Sequence, residues 1–290
     1  MKKILTFVLA LMATTCFVHS AEEELGLVVN HSPVTPVRST PSEASEQETQ
    51  LLFGEVCEVL EQRSSWTRIR STVDGQVGWV STKMVTPVSE EAISLLGNAA
   101  GVVAVPMTVA TDMKTGEKRM LTMGSRLYNY AQGTFEMLGK QYQIDASCVY
   151  EVKGERSEVK GEEIVRVAKT LLNVPYLWGG KNMMGYDCSG FVQTVYSVFG
   201  INLLRNAREQ VTQGEVVSSL SEAQPGDLVF FDHADRDPNA TRITHVGMLI
   251  SPTEVIHCSG CVHVDKIDEM GIRLANGKLT HHLAQIKRYL

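Results

Sequence analysis

The stretch Gly185-Tyr186-Asp187-Cys188-Ser189-Gly190-Phe191-Val192-Gln193 places a cysteine at the first turn of a predicted helix. Apolar residues follow Cys188 at offsets of three, four, seven, eight and eleven positions, so they share one helical face. A thiol at a helix start lies near unpaired backbone N–H groups and the positive end of the helix dipole. Both favour the thiolate, and the pattern therefore predicts a nucleophilic Cys188 with a lowered pKa. The alternative for this stretch alone is a small, buried, apolar cysteine.

The bulk composition is that of an ordinary soluble globular protein. The chain has 290 residues, enough for two or three domains, with 43% hydrophobic and 21% charged residues. The net charge is −6, and no basic cluster with interleaved aromatic residues is present. These features argue against nucleic acid as a partner.

The N-terminus has the pattern of an export signal. Lys2 and Lys3 precede the apolar run 4–13, which is too short to span a bilayer. Residues 1–20 are therefore predicted to be a signal peptide cleaved after Ser20, with lipidation of Cys16 as the alternative. Either way we expect a periplasmic or extracellular protein without a transmembrane segment.

The cysteine count supports a free thiol. Removal of Cys16 with the signal leaves five cysteines, and an odd number in an exported protein predicts at least one unpaired thiol. Cys258 and Cys261 are close enough in sequence for a disulfide, but the sequence alone leaves their state open.

Three domains are predicted after the signal. Residues 21–90 contain short alternating strands and the hairpin turn Asp74-Gly75, which indicates a small all-β unit. Residues 91–155 return to strand patterns and are predicted to form a second, more divergent barrel, although no strict sequence repeat links the two. Residues 160–290 have helical patterns first and an antiparallel meander afterwards, which predicts an α+β domain.

Two histidines complete a candidate catalytic set with Cys188. His245 and His257 follow it by 57 and 69 residues, on predicted strands that a short hairpin would place side by side. His245 is the expected general base, and His257 is expected to orient its ring. The backbone N–H of Cys188 is the expected oxyanion donor.

These residues carry a resemblance to a known family. The domain resembles the NlpC-type cell-wall cysteine peptidases, a papain-like group, and residues 21–90 are similar to bacterial SH3-like barrels. The resemblance implies an α+β papain-like catalytic domain preceded by two small all-β SH3-like barrels, with Cys188, His245 and His257 as the catalytic residues. The matching motifs are Pro175-Tyr176-Leu177-Trp178-Gly179-Gly180, Asp187-Cys188-Ser189-Gly190-Phe191-Val192, Arg205 with Gln210, Pro225-Gly226-Asp227-Leu228-Val229-Phe230-Phe231, His245-Val246-Gly247 and Ile256-His257.

The domain order further resembles the γ-D-glutamyl-L-diamino acid endopeptidases. That subgroup cleaves the γ-D-Glu–L-diamino acid bond (Lys or diaminopimelate) of peptidoglycan stem peptides that carry a free N-terminal L-Ala, in murein turnover or recycling. The resemblance implies no cofactor or metal and a monomer that acts on peptidoglycan-derived peptides. Gln76 stands where that subgroup commonly has a tyrosine. The substrate-binding residues that it implies are Asp187, Ser189, Tyr176, Trp178 and, from the first barrel, Glu55.

The sequence leaves three alternative functions to be weighed. The same catalytic residues would serve a hydrolase that binds intact peptidoglycan through its SH3-like modules. A zinc-binding domain would use His257, Cys258, Cys261 and His263, but side chains alternate along a strand, so His257 and Cys258 should face opposite sides. A purely adhesive wall module would leave the ordered cysteine and histidines unexplained.

Overall fold

The computed structural model describes residues 25–89, 91, 101–152, 159–233, 242–274 and 276–290. The predicted signal peptide, including Cys16, lies outside these residues. Within the described part of the chain, no helix has the length and hydrophobicity needed to cross a membrane.

The first barrel is a seven-stranded antiparallel sheet. Its fifth strand alternates half-buried and buried residues, as expected for a strand with one face on a core. Gly75 in the predicted hairpin turn has a φ of +72°, a conformation that suits glycine. The strands follow the order β3-β2-β6-β5-β4-β1-β7. They are β1 (Leu27–Asn30), β2 (Val34–Arg38), β3 (Gln47–Leu52), β4 (Val56–Arg63), β5 (Trp66–Ser71), β6 (Val77–Ser81) and β7 (Val85–Val88).

The second barrel repeats the topology of the first. Its order is β10-β9-β13-β12-β11-β8-β14, which is the same order when each barrel is counted from its own first strand. A short 3-10 helix precedes the last strand in both, at Thr82–Met84 and Ala146–Cys148. The two barrels therefore share one fold without a visible sequence repeat. The strands are β8 (Gly101–Val103), β9 (Met107–Asp112), β10 (Lys118–Thr122), β11 (Arg126–Ala131), β12 (Thr134–Met137), β13 (Lys140–Gln143) and β14 (Val149–Glu151).

The third domain packs helices against an antiparallel sheet, and the predicted fold class is confirmed. The sheet order is β17-β23-β18-β19-β20-β21-β22, and an additional β22–β23 pairing closes six strands into a ring. The helices are α1 (Gly161–Lys169), α2 (Cys188–Val198) and α3 (Ala207–Gln210). The strands are β15 (Lys181–Asn182), β16 (Gly185–Tyr186), β17 (Glu215–Val217), β18 (Leu228–His233), β19 (His245–Ser251), β20 (Glu254–Ser259), β21 (Cys261–Asp268), β22 (Gly271–Arg273) and β23 (Leu279–Arg288).

The core of this domain holds α2 against the sheet. The apolar face predicted from the spacing is buried and belongs to one cluster with residues of β19 and β20, including Val246 and Ile256. Helix α1 ends at Lys169. Asn173 has a φ of +68° there. Its backbone N–H donates to the Val262 carbonyl, which turns the chain toward β21.

The first barrel docks directly on the third domain. The Gln50 Oε1 atom accepts hydrogen bonds from the Lys181 backbone N–H and from Asn182 Nδ2, each at 2.8 Å. Gln193 Nε2 on α2 donates to Asp74 Oδ2 at 2.9 Å. These contacts fix the barrel beside the start of α2.

Candidate active site

Asp187 sets the start of the cysteine helix. It is the N-cap of α2, and its Oδ1 atom accepts a hydrogen bond of 2.6 Å from the Gly190 backbone N–H. An N-cap carboxylate satisfies one of the amide groups that a helix leaves unpaired. Cys188 is therefore the first helical residue, as the sequence predicts.

The pKa of the Cys188 thiol is shifted upward. Desolvation and the adjacent Asp187 carboxylate raise this pKa to about 12, while the backbone N–H of Val246, the Arg205 guanidinium and the Ser189 N–H oppose the shift. The expectation of a lowered pKa was wrong, because desolvation of the sulfur outweighs the stabilisation from the helix start. The resting thiol is protonated and needs a base.

His245 and His257 form a hydrogen-bonded pair. Strands β19 and β20 are antiparallel neighbours, with Gly247 opposite His257, so the two histidines share a face. The His245 Nε2 and His257 Nδ1 atoms are 2.8 Å apart. His281 of β23 lies against the His245 ring with 4.6 Å between ring centroids. The backbone N–H of Val246, the residue that follows His245, is near enough to the Cys188 sulfur to lower its pKa.

Sequence reasoning missed Asp265 behind His257 and considered the neighbouring His263 only as a zinc ligand. The Asp265 Oδ2 atom lies 3.1 Å from His257 Nε2 and 3.2 Å from His263 Nε2. His263 is directly opposite His257 in the β20–β21 ladder. Asp265, two residues further, shares its face. The alternation along the predicted strand was the signal that could have grouped them.

The surroundings of His257 and Asp265 determine their protonation states. Desolvation lowers the pKa of His257 below its usual value, against the opposing effect of Asp265. The hydrogen bond from His257 lowers the pKa of Asp265. At neutral pH, His257 is therefore neutral and Asp265 is ionised.

The cysteines of the zinc alternative lie elsewhere. The Cys258 thiol donates to the Tyr186 carbonyl oxygen at 3.1 Å, on the side of β20 away from His257. Cys258 and Cys261 are both free thiols. The ligand set His257, Cys258, Cys261 and His263 is therefore not assembled.

A cleft of about 740 Å³ joins the catalytic domain to the first barrel. Tyr176 and Trp178 form part of its wall, and Trp178 is 60% exposed. Glu46 and Glu48 reach the cleft from the barrel, and the sequence analysis did not single them out. Its lining residues are Glu46, Glu48, Gln76, Tyr176, Trp178, Asp187, Cys188, Ser189, Asn206, Ala207, Arg208, Glu209, Arg242, Ile243, Thr244 and His245.

Glu55 does not line this cleft, so its predicted role is corrected. Its side chain is only 6% exposed. The Oε1 atom pairs with Lys181 Nζ at 3.0 Å, and Oε2 accepts from the Leu52 backbone N–H at 3.0 Å. Glu55 therefore joins the barrel to the catalytic domain, because its carboxylate neutralises a buried lysine.

Asp187 and Ser189 lie at the cleft, but their polar atoms already have partners. Arg205 contacts the two Asp187 oxygens at 3.1 and 2.5 Å, and the Gly179 N–H donates to Oδ2 at 2.9 Å. The Ser189 hydroxyl donates to Asp187 at 3.2 Å and accepts from Arg205 at 3.0 Å. This network gives both residues a structural role at the floor of the cleft.

The Glu55 assignment predicts a stability effect without a change in substrate preference. Glu55→Gln leaves Lys181 without its counter-charge and should lower the free energy of unfolding by about 2–4 kcal/mol. Glu58→Gln is the matched control, because it removes a half-exposed pair with Arg70 and should cost less than about 1 kcal/mol. Chemical denaturation measures both variants. An unchanged stability in Glu55→Gln, or an altered preference for the substrate amine, would contradict the assignment.

Two family models match the chain. Residues 173–287 match the model of the NlpC/P60 family, and residues 37–84 match that of the bacterial dipeptidyl-peptidase Sh3 domain. Residues 173–287 therefore form an NlpC/P60 domain, preceded by a bacterial SH3 domain. The matches identify the chain as a cysteine peptidase, in agreement with the cysteine at the start of α2.

Relatives of the chain include two named enzymes. The γ-D-glutamyl-L-lysine dipeptidyl-peptidase of Bacillus cereus is 26% identical over 231 residues, which cover 74% of this chain and 68% of the relative. The enzyme of the same name from Bacillus subtilis is 27% identical over 225 residues, covering 72% and 71%. The crystal structure of an NlpC/P60 family protein from Bacillus cereus has a TM-score of 0.76 at 18% identity, covering 91% of this chain and all of that one. It supports the arrangement of the whole fold.

Proposed function

We propose that this peptidase cleaves the γ-D-Glu–L-diamino acid bond of peptidoglycan stem peptides that carry a free N-terminal L-Ala. The observation that carries the proposal is the position of Glu46 and Glu48. These barrel carboxylates line the same cleft as Cys188 and His245. The names of the two Bacillus relatives support the same bond.

The proposed reaction uses the residues around Cys188. The Cys188 sulfur attacks the γ-carbonyl carbon of D-Glu while its proton passes to His245. The Cys188 backbone N–H stabilises the oxyanion. His245 then protonates the departing amine of the diamino acid as the C–N bond breaks. Water hydrolyses the remaining thioester with His245 as base, which releases the L-Ala-γ-D-Glu dipeptide and regenerates the thiol.

The carboxylates of Glu46 and Glu48 favour binding of a peptide with a free N-terminal amine in the cleft. An ammonium group that leaves water needs a carboxylate partner, because an unpaired buried charge is costly. Glu48 is half-buried and Glu46 is exposed. Arg208 and Arg242 line the same cleft and suit the carboxylates of the peptide. A stem peptide still joined to a glycan strand has no free amine at L-Ala, so the enzyme trims released fragments.

Product analysis tests the bond. The peptide L-Ala-γ-D-Glu-L-Lys-D-Ala is incubated with the enzyme, and mass spectrometry should detect the dipeptide L-Ala-γ-D-Glu and the dipeptide L-Lys-D-Ala. Purified sacculi are digested in parallel and should release little soluble material. Cleavage at another bond would overturn the proposal, and efficient release from sacculi would favour a hydrolase of the intact wall.

Glu48 provides a charge-specific prediction. Glu48→Gln keeps the size of the side chain but removes the counter-charge, so kcat/KM for the free-amine peptide should fall about 10–100-fold. Glu43→Gln is the matched control, since Glu43 lies on the same barrel with its side chain 75% exposed and does not line the cleft. Steady-state kinetics on both variants measure the effect. Equal losses in the two variants would mean that the barrel's overall charge matters rather than a contact at Glu48.

A further inference from the structure

We infer that Asp265 is a positioning residue of this active site, which sets the tautomers of His257 and His245 so that His245 can accept the Cys188 proton. The inference rests on the catalytic roles proposed for Cys188 and His245. It adds a fourth member to the cysteine and the two histidines, and it explains why His257 orients His245 productively.

The Asp265 carboxylate can only accept hydrogen bonds when it is ionised. His257 Nε2, at 3.1 Å from Asp265 Oδ2, must therefore carry the proton. A neutral His257 then has a lone pair on Nδ1. His245 Nε2, at 2.8 Å from that atom, must donate. A neutral His245 with its proton on Nε2 leaves the lone pair on Nδ1, and Nδ1 is the atom that takes the thiol proton.

His257 is shielded from bulk solvent, which could otherwise determine which ring nitrogen carries the proton. The His257 side chain is 1% exposed, so bulk water does not determine its tautomer. Asp265 is half-buried on the neighbouring strand, directly behind the ring. The Asp265 carboxylate therefore determines which nitrogen of His257 carries the proton. Through the hydrogen bond between the two histidines, it also determines the tautomer of His245.

His263 holds the carboxylate from its other side. Its Nδ1 atom is 2.8 Å from the Cys261 carbonyl oxygen, and its Nε2 atom is 3.2 Å from Asp265 Oδ2. Both partners are acceptors, so both contacts are hydrogen bonds only when both ring nitrogens carry a proton. His263 thereby orients the Asp265 carboxylate.

Asparagine at position 265 should reverse the direction of the two hydrogen bonds that link residue 265 to His257 and His257 to His245. Its amide nitrogen has two protons, which can go to His257 Nε2 and to a neutral His263 Nε2. His257 would then donate from Nδ1, and His245 would accept at Nε2 and carry its proton on Nδ1. In that state His245 has no lone pair for the Cys188 proton. An alanine imposes no such reversal, so the isosteric variant should be the more damaging one.

The test compares Asp265→Asn, Asp265→Ala and His263→Ala by alkylation of Cys188 with iodoacetamide, followed by peptide mass spectrometry. This readout needs no peptide substrate. Asp265→Asn should slow alkylation and kcat about 10³–10⁴-fold with little change in KM, as tautomer reversal does in serine peptidases. Asp265→Ala should retain at least about tenfold more activity than Asp265→Asn, and His263→Ala should lose less than about tenfold.

The outcomes separate the inference from the proposed substrate. If wild type cleaves no stem peptide but the alkylation rates follow this order, the inference holds and the proposed substrate fails. Equal losses of alkylation rate and kcat in Asp265→Asn and Asp265→Ala would overturn the inference, because loss of a merely structural contact would affect both variants alike. If Asp265→Asn unfolds, the tautomer of His245 can be measured directly by ¹⁵N NMR of the folded variant Cys188→Ala. We expect an unprotonated His245 Nδ1 atom. A protonated Nδ1 atom in the neutral ring would contradict the inference.

Discussion

Replacing Cys188 with alanine should reduce kcat/KM by at least about 10⁴-fold while the protein remains folded. The covalent route needs the sulfur, and no other described thiol lines the cleft. Alanine at the first turn of α2 keeps the backbone conformation, and Asp187 still caps the helix. Cleavage assays and a thermal melt measure the two effects separately.

Cys148→Ala is the matched control for this variant. Cys148 is another half-buried free thiol, but it lies in the second barrel. Its replacement should change kcat/KM by less than about twofold. Residual activity above about one hundredth in Cys188→Ala would assign the nucleophile to another residue.

The second large effect concerns stability. Arg205→Met should lower the free energy of unfolding by about 3–5 kcal/mol, because it leaves the buried Asp187 carboxylate without its cation. Arg205 is 1% exposed, and its Nε atom also donates to Thr49 of the first barrel at 2.6 Å. The expected fall in melting temperature is roughly 6–20 °C. Calorimetry measures it.

A double variant identifies the cause of that loss. In Arg205→Met with Asp187→Asn, the uncompensated charge is gone, so part of the stability should return. Arg208→Met is the control for the loss of an exposed arginine and should cost less than about 0.5 kcal/mol. If Arg205→Met melts like Arg208→Met, the buried pair is not a major source of stability.

Local patterns in the sequence were sufficient for much of the fold. The apolar spacing after Cys188 predicts α2, because a helix buries one face at a period that a single segment reveals. The hairpin between β19 and β20 follows from two short strands around Ser251-Pro252-Thr253. The shared topology of the two barrels could not be seen, since different residues satisfy the same alternation of buried and exposed positions.

The predictions that failed concern contacts between residues that are far apart in the sequence. Glu55 and Glu48 both belong to the first barrel, and only the docking of that barrel decides which acid reaches the cleft. The raised pKa of Cys188 results from desolvation, which the helix start alone does not reveal. Asp265 reaches His257 through the register of β20 and β21, and register is a tertiary property.

The most direct test of the central claim is the ratio of kcat/KM for L-Ala-γ-D-Glu-L-Lys to that for its N-acetylated form, measured by mass spectrometry with Cys188→Ala as the blank. We predict a ratio above about 10², because acetylation removes the charge that the barrel carboxylates pair with. A ratio near one, with both peptides cleaved after D-Glu, would contradict selection of a free N-terminal amine and would point to an enzyme of the intact wall.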